Sequence, residues 1–450
     1  MSNRVLRTLL VAVLLLSTAA SAQSFDPVEI RLFRTLFALP SALARYTYLQ
    51  NEMPHLNADD RIVAMQMLAS AESELGLYNR AVFSFPIKVS PPPGLVLPTA
   101  AQWRPAGAVD VIARLAAHRH IVMVNEAHHD AQTRVLALAL LPRLYALGFR
   151  YFAAEALVDT DPGLQKRGYP VRSSGTEYLH EPIYGEIVRE AIRLGFTIVP
   201  YDIEHQVAEQ ARETGQAENL YREVFAKHPD AHLFVLAGYA HIDKAKGRLG
   251  DITPMAMHLE ALSGHVPLSI DQTQFLETGL QDTDNYHRLI ARFRPTRPIV
   301  LINRSDGKVW SADPKLYDAN VILPPALSMK SFGNSQSVDG QMYKNVADPA
   351  HLSLSTFMAL DKMFRPAWLS LGGKRQAFPI SAALCRKQLP CVVEAQYADE
   401  SDNAIAADRY AFLQESAITN LYLFPGKYHL RAIDSRGKTL DEQAITIPRQ

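Results

Sequence analysis

The sequence predicts an α/β fold: a parallel-sheet core with helices on both faces, preceded by a helical hairpin and followed by a small β-sandwich-like domain. Three observations lead to this prediction. Between about residues 105 and 305, short apolar runs alternate with amphipathic helical stretches, an order typical of parallel sheets. Before this region, apolar positions recur three and four apart, as in a helix. After it, alternating runs are separated by tight turns.

The first residues have the order of a secretory signal peptide. Arg4 and Arg7 precede an apolar run at 9–16, and small residues follow at 20–22. We expect cleavage after residue 22, so that residues 1–22 are removed and the mature chain begins at Gln23. The apolar run is shorter than the ~20 residues that span a bilayer, and no later run is long enough. We therefore expect a periplasmic or secreted protein without a membrane span.

The composition excludes some classes of protein. Lys plus Arg and Asp plus Glu number 46 each, a balance that does not resemble a nucleic-acid-binding surface. The chain has 450 residues, of which 48% are hydrophobic, enough for two or three domains with full cores. The expected partner is a small-molecule or peptide substrate.

The N-terminal region predicts helices followed by a linker. Apolar residues at helical spacing over about 26–83 predict a helical hairpin. Pro86 and the Pro91–Gly94 stretch then interrupt the periodicity. We assign residues 23–100 to this helical segment and its linker.

The central region predicts the parallel sheet. Its apolar runs are short, which suits strands buried on both faces. Strands are expected at 121–124, 151–154, 197–201, 232–237, 267–270 and 299–302. Helices are expected at 131–147, 175–194, 205–227 and 254–263. We assign residues 101–325 to one α/β domain, in which right-handed crossovers place the carboxyl ends of the strands at one edge.

The C-terminal region, 326–450, predicts a small β-sandwich of the transthyretin-like or immunoglobulin-like kind. After Pro324 and Pro325 the sequence is rich in turns, and residues 423–433 are typical of a turn followed by a strand. Cys385 and Cys391 are the only cysteines. Because no histidine or further cysteine lies near them, an oxidising compartment favours a local disulfide over a metal pair.

Ionisable side chains follow four of the predicted strands. Parallel strands bind ligands at their carboxyl edge, where these side chains meet. Helix capping explains an aspartate at one exit equally well, but it does not explain acid or imidazole at all four. The side chains are Glu126 and His129 after the first strand, Glu155 after the second, Asp202 and Glu204 after the third, and His241 after the fourth.

Two mechanisms need such a group. In one, a histidine takes a proton from water while carboxylates orient it. In the other, His129, His241 and one or two carboxylates bind a divalent metal that activates water. The spacing leaves both open. The sequence lacks the His-Glu-x-x-His motif of zincins and the Gly-x-Ser-x-Gly motif of serine hydrolases.

A second cluster lies on the helix before the fourth strand. Arg212 and Asn219 are seven residues apart and so share a helix face. Arg212 is expected either to bind an anionic substrate group or the buried carboxylates, or to form ordinary surface salt bridges with Glu209 or Glu213. Residues 178–182 are a candidate lid over the same edge.

Four segments together resemble the erythromycin esterase-like and ChaN/Tiki-like superfamily. They are Asn125-Glu-Ala-His-His129, residues 147–155, residues 212–219 and Gly238-Tyr-Ala-His241. The family pattern has a Gly-Glu-x-x-His turn, a Gly-Phe-Arg-x-x-x-x-Glu strand, an Arg-Asp/Glu helix and a late histidine. The resemblance covers roughly residues 105–305. The chain departs from it at Asn125, where a glycine is usual, and carries His128 as an additional imidazole.

The resemblance implies roles for particular residues. In the esterases, the position of His129 is taken as the water-activating base, without metal. The Tiki-like branch implies a divalent metal and peptide hydrolysis, and the ChaN-like members imply haem. His128 adds a second imidazole that favours metal or haem ligation.

The leading hypothesis is a hydrolase of an ester or related acyl bond that needs no cofactor. His129 is the base, Glu126 and Glu155 orient and polarise, His241 assists the charge or the leaving group, and Arg212 holds the substrate. Further substrate contacts are expected from Asn125, His128, Arg134, Asp202, Glu204 and Asn219. The alternatives are a metal-dependent hydrolase or peptidase using Glu126, His129 and His241, and a haem- or ligand-binding protein without catalysis.

Overall fold

The predicted α/β class is confirmed. The computed structural model describes residues 27–87, 89–203, 208–277, 284–326, 365–415 and 417–449. The expected signal peptide at 1–22 and Glu204 lie outside the described residues. Within those ranges, none of the helices has the length and apolar character needed to cross a membrane.

A six-stranded parallel sheet forms the centre of the structure. Its order is β4-β3-β5-β2-β6-β8. In the register of β2 and β5, Glu126 pairs with Gly238, and in that of β3 and β5, Ala154 pairs with Leu236. The carboxyl ends of the three central strands therefore lie side by side. The strands are β2 (Ile121–Glu126), β3 (Tyr151–Ala154), β4 (Thr197–Val199), β5 (Leu233–Gly238), β6 (Leu268–Asp271) and β8 (Ala319–Asn320).

Helices cover both faces of this sheet. Alternate residues of β2 enter different cores: Val122 packs in the same cluster as Leu140, and Met123 in the same cluster as Leu220. This is why the strand is apolar without alternation. The helices of this region are α5 (Ala108–Ala116), α6 (Gln132–Ala146), α7 (Leu164–Arg167), α8 (Pro182–Leu194), α9 (Glu209–Leu220), α10 (Met255–Ser263) and α11 (Asn285–Phe293).

Helix α8 begins later than the predicted residue 175. The Glu181 carboxylate accepts hydrogen bonds from the backbone N–H of Ile183 at 2.9 Å and of Tyr184 at 3.0 Å, and Pro182 occupies the first helical position. An acidic N-cap followed by proline is a strong start signal. Gly195 ends the helix with φ of 98°. The cap places the Glu181 side chain at the edge of the sheet.

Within residues 27–87, four helices rather than one hairpin form the N-terminal region. Ser41 and Asn57 each accept a hydrogen bond at a helix start and so divide the predicted hairpin. Gly76, with φ of +73°, joins the last two helices, and a Cβ there would lie 2.1 Å from the Arg409 carbonyl oxygen. The helices are α1 (Pro27–Ala38), α2 (Ala42–Glu52), α3 (Ala58–Glu74) and α4 (Tyr78–Ser84).

Two antiparallel sheets form the C-terminal region, and they share one hydrophobic core with the N-terminal helices: Leu43 and Leu68 lie in the same cluster as Val393 and Phe412. The first sheet has the order β11-β10-β13-β14 and the second pairs β12 with β9. The strands are β9 (Gln376–Ser381), β10 (Cys391–Tyr397), β11 (Asp408–Phe412), β12 (Ile418–Leu423), β13 (Gly426–Asp434) and β14 (Thr439–Ile447).

The two cysteines lie in this shared core. Cys385 and Cys391 form a disulfide with their Cα atoms 5.9 Å apart, as their spacing predicts.

The predicted strand at 299–302 exists, but it does not belong to the parallel sheet. β7 (Ile299–Asn303) pairs antiparallel with β1 (Trp103–Gly107), and the short β8 occupies the sheet edge beside β6 instead. The apolar sequence of the run was a sound signal of a buried strand, but it carried no information on the strand's partner.

Candidate functional site

The site lies where β2, β3 and β5 end. Glu126 is the last residue of β2, Glu155 directly follows β3, and Gly238 is the last residue of β5. The backbone N–H of Glu155 donates to the carbonyl of Leu236 at 3.0 Å, which continues the strand pairing beyond β3. Regular sheet structure therefore positions both carboxylates.

Glu126 is held between an imidazole and a guanidinium group. Its Oε1 contacts Nδ1 of His128, and its Oε2 accepts from Nε of Arg134 at 3.0 Å. Arg134 also donates to the His128 carbonyl oxygen at 3.1 Å and to Glu181 Oε2 at 3.1 Å. Burial opposes ionisation of Glu126, but Arg134 and His128 outweigh it and hold its pKa below the usual value.

His128 has one bound and one free nitrogen. Nδ1 contacts Glu126, whereas Nε2 has no hydrogen-bond partner among the described residues. The side chain is 7% exposed, and its ring stacks on Tyr178 with centroids 4.0 Å apart. A Cβ at Gly238 would lie 2.9 Å from His128 Nε2 and 3.0 Å from Glu155 Oε2. The absence of a side chain at Gly238 therefore lets the His128 ring approach Glu155.

Arg212 joins the exits of β3 and β4. Its Nη2 donates to Glu155 Oε1 at 2.7 Å and to Asp202 Oδ2 at 2.9 Å, and its Nε donates to Asp202 Oδ1 at 3.2 Å. The other oxygen of Glu155 accepts from the backbone N–H of Gly238. Arg212 is buried, so of the two expectations for it, pairing with buried carboxylates describes the structure and a surface salt bridge does not.

His241 lies between two carboxylates. Its Nδ1 is 2.6 Å from Glu213 Oε1, and its Nε2 is 3.5 Å from Glu155 Oε1. Burial disfavours the charged ring, but Glu213 and Glu155 outweigh this and raise the pKa of His241 to about 10. Nε2 of His241 is also 3.1 Å from Arg212 Nη1. Two cations thus share the Glu155 carboxylate. Burial raises the pKa of Glu155, but His241 and Arg212 outweigh burial and hold this pKa well below its usual value.

His129 faces a different environment. Its ring stacks on Phe85 with centroids 3.6 Å apart, and its Nδ1 lies 3.3 Å from the Tyr239 hydroxyl. Burial, together with the nearby His128 and Arg134, lowers the pKa of His129 to about 3. It lines a cavity of about 250 Å³. The structure brings Glu126, His128, Glu155, Arg212 and His241 together and places His129 beside them in an apolar pocket.

Asn125 and Asn219 fix the backbone. The Asn125 amide donates to the Tyr239 carbonyl at 2.7 Å and to Asp271 Oδ1 at 2.8 Å, and its oxygen accepts from Gln272 N–H at 2.6 Å. Asn219 donates to the Tyr201 carbonyl at 2.9 Å, which anchors the exit of β4. Asn125, from which a substrate contact is expected, therefore joins β2 to the end of β6 instead.

Several residues of the site were not predicted as such. Glu213 was considered only as a surface partner of Arg212, although its place beside Arg212 in the motif was a usable signal. Tyr178 and Glu181 were assigned to a lid, but both are buried against the site. Tyr78 donates to Glu181 Oε1 at 2.7 Å from a helix 103 residues earlier, and no sequence signal indicated it.

The donor set does not fit a divalent metal. No group of three or more His, Cys, Asp or Glu side chains within the described ranges is arranged to hold one. The oxygens of Glu126 and Glu155 already face Arg134, Arg212, His128 or backbone N–H. The cavity beside His129, about 250 Å³, is below the ~300–1,000 Å³ of common ligand pockets and does not fit haem.

Comparison with known proteins adds little to this geometry. No protein-family model and no curated protein matches the chain. A structure of the type III effector HopBA1 is 16% identical, with a TM-score of 0.27, covering 44% of this chain and 93% of that one. A structure described as "Bacterial protein toxins" is 12% identical, with a TM-score of 0.28, covering 57% and 52%.

A third structure is that of RRSP, a MARTX toxin effector domain from Vibrio vulnificus CMCP6. It is 16% identical, with a TM-score of 0.25, covering 52% of this chain and 45% of that one. The chain thus spans about half the length of the second and third structures.

Proposed function

We propose that the protein is a hydrolase of ester or related acyl bonds in which His128, rather than His129, activates water. One observation carries the proposal: His128 is bound through Nδ1 to Glu126, while its buried Nε2 has no partner in the part of the chain that the structure describes. A carboxylate at Nδ1 orients the ring and stabilises the imidazolium that forms when Nε2 takes a proton. Among the described residues, no carboxylate pairs with His129, and its pKa of about 3 makes it a poor base.

Arg212 and His241 supply positive charge beside this base. Both cations contact Glu155, whose carboxylate lies next to the His128 ring. Arg212 also pairs with Asp202, and His241 also pairs with Glu213, so the carboxylates around them balance their charge. The role proposed for Arg212 and His241 is therefore to donate N–H hydrogen bonds from fixed positions to the oxyanion of acyl transfer.

The reaction follows from these positions. Nε2 of His128 removes a proton from water as the water oxygen bonds to the acyl carbon. The electron pair of the C=O bond moves to its oxygen, which lies near Arg212 and His241. The bond to the leaving group then breaks, and the proton on His128 passes to the leaving oxygen, which releases an acid and an alcohol.

A metal-independent mechanism agrees with the charges of the site. Arg134 and Arg212 lie where a cation would otherwise be needed to neutralise Glu126 and Glu155. With the predicted leader peptide, we propose that the enzyme acts in the periplasm or outside the cell on a small molecule or a peptide.

Two adjacent variants test the proposal. Hydrolysis of the 4-nitrophenyl esters of acetate and butyrate and of a peptide 4-nitroanilide is compared for wild type, His128→Gln and His129→Gln. We expect His128→Gln to lower kcat/KM about a hundredfold or more, because a positioned base contributes that much. His129→Gln should lower kcat/KM by less than about tenfold, because no proton transfer uses His129 although its ring lines the neighbouring cavity.

The outcomes are distinguishable. Loss of turnover in His129→Gln, together with normal rates in His128→Gln, would show that His129 rather than His128 is the base. Wild-type rates no higher than those of His128→Gln on every probe would contradict acyl hydrolysis itself.

A further inference from the structure

The cavity beside His129 is separate from the ionic cluster but adjoins it. Its walls include Phe85, Tyr239, Phe275, Leu276 and Tyr286, and we call it the Phe85 pocket. Resting on the proposed function, we infer that the Phe85 pocket binds an apolar group of the substrate, about the size of one aromatic ring, while the scissile bond lies at His128.

The volume sets the size of the occupant. The pocket measures about 250 Å³. An apolar cavity of ~150 Å³ is sufficient for benzene, and drug-sized ligands need ~300–1,000 Å³. The Phe85 pocket therefore fits a phenyl ring or a branched acyl chain of similar size, and excludes a macrocycle.

The lining sets its chemistry. Four aromatic residues and a leucine line the cavity, and the Phe275 ring packs on Trp310 with centroids 5.4 Å apart, which makes that wall rigid. The lining also includes the polar residues Thr273, Gln274, Asp284 and Asn285. The Gln274 amide donates to the Ser90 carbonyl at 2.8 Å, and its oxygen is 3.5 Å from the Tyr317 hydroxyl. Asp284 Oδ1 accepts from the His287 N–H at 2.8 Å. His129 presents a flat ring stacked on Phe85. Such walls favour a neutral aromatic group over a charged one.

Tyr239 connects the pocket to the base. Its hydroxyl is 3.3 Å from His129 Nδ1, and its ring meets the His128 ring edge-on with centroids 5.2 Å apart. Its backbone has φ of +41°, which is uncommon for a bulky residue and often occurs at functional sites. The Tyr239 N–H also donates to the Glu126 carbonyl at 3.1 Å. The turn thus sets one ring between the two histidines, as a wall common to the pocket and the reaction centre.

Binding is tested without catalysis. The probe is 4-fluorotoluene, followed by ¹⁹F NMR, with wild type, His128→Gln and Leu276→Trp. We expect saturable binding to wild type and to His128→Gln, and at least tenfold weaker binding to Leu276→Trp, whose indole fills the cavity. The matched control is Leu262→Trp on α10, where the side chain is 41% exposed. If Leu276→Trp does not fold, Ile87→Trp fills the pocket from another, half-buried residue of its lining.

Substrate choice is tested with esters that differ in one group. Methyl phenylacetate and benzyl acetate are compared with methyl acetate. We call Leu276→Trp and Ile87→Trp the filled variants. In them, the ratio of kcat/KM for at least one of the two phenyl-bearing esters to kcat/KM for methyl acetate should fall at least tenfold. In Leu262→Trp this ratio should not change. Absence of saturable binding, equal binding to the filled variants, or an unchanged ratio would each overturn the inference.

The same experiments separate this inference from the proposed function. If the proposed function alone fails, 4-fluorotoluene still binds wild type and is excluded by Leu276→Trp, but His128→Gln hydrolyses esters normally. If the inference alone fails, His128→Gln is inactive and the filled variants keep the wild-type ratio.

Discussion

Two consecutive histidines lie in opposite environments. His128 contacts a carboxylate and approaches a second, whereas His129 stacks on a phenylalanine ring beside an apolar cavity. The turn from Ala127 to Asp130, closed by a 2.8 Å backbone hydrogen bond, sends the two side chains to different sides of Tyr239. The geometry of this turn therefore gives the two imidazoles different surroundings. The His128 ring can exchange a proton with a bound molecule, whereas the His129 ring forms part of the cavity wall.

The charged region depends on buried ion pairs, and Arg134→Met should break it. Arg134 is fully buried and binds both Glu126 and Glu181, so its loss removes the guanidinium partner of two buried carboxylates. We expect unfolding in urea to show a loss of about 3–5 kcal/mol.

The matched control is Arg143→Met on the same helix. Its side chain is 50% exposed and pairs with Asp110 at the surface, so the loss should stay below about 1 kcal/mol. Similar losses for the two variants would contradict the role of Arg134.

The place of His128 depends on the missing side chain at Gly238. In Gly238→Ala the new methyl group would meet the His128 ring at 2.6 Å, and β5 is paired on both sides and so has little freedom to move. We expect at least a tenfold lower kcat/KM on the acetate ester, with a stability loss of about 1–3 kcal/mol.

Gly426→Ala in β13 is the control for this change, because its Cβ would find its nearest neighbour at 3.4 Å. If Gly238→Ala hydrolyses the ester as fast as Gly426→Ala, the His128 ring does not lie over Gly238 during turnover.

The sequence was sufficient to predict the edge of the site. The apolar runs of β2 and β3 are followed closely by Glu126 and Glu155, and parallel pairing aligns the carboxyl ends of these strands. The sequence pattern and the sheet geometry therefore both predict that the two carboxylates lie at one edge of the sheet. The Arg212 motif was also informative, because a buried carboxylate needs a cation.

What sequence did not predict depends on turns and distant packing. Whether His128 or His129 faces Glu126 depends on the geometry of a single turn. The periodicity of strands and helices gives no information about that geometry. Tyr78 reaches Glu181 only because the N-terminal helices pack against the α/β region. The division of the N-terminal helices follows local caps at Ser41 and Asn57, which the spacing of apolar residues does not show.

Lowering the pH should reduce the contribution of His129 to the free energy of unfolding, and raising the pH should reduce the contribution of His241. The pKa of His129 is about 3 in the folded protein and an ordinary 6.5 in the unfolded chain. Between pH 6.5 and pH 3 the unfolded chain therefore binds a proton that the folded protein does not bind. The stability that the neutral His129 contributes is present above pH 6.5 and is lost as the pH falls from 6.5 towards 3. The pKa of folded His241 is about 10, so its contribution is present below pH 6.5 and is lost as pH rises towards 10.

The variant His129→Gln removes the loss of stability at low pH that we attribute to His129. Between pH 6.5 and pH 5 it should lose about 1–2 kcal/mol less unfolding free energy than wild type, since one proton is worth about 1.4 kcal/mol per pH unit. Urea unfolding at several pH values measures this difference. Parallel pH profiles for the variant and wild type would show that His129 titrates normally in the folded protein.

The smallest expected change comes from the ring on which His129 stacks. Phe85→Leu removes an aromatic stack worth about 0.5–1.5 kcal/mol and admits water to the imidazole. The pKa of His129, followed by its NMR ring signals, should rise towards 6.5, because burial is the main cause of its depression. The kcat/KM of methyl acetate should stay within about threefold of wild type, since His128 keeps its Glu126 contact. A large loss on that small ester, with the pKa unmoved, would mean that Phe85 serves the reaction centre and that the two histidine environments are not separate.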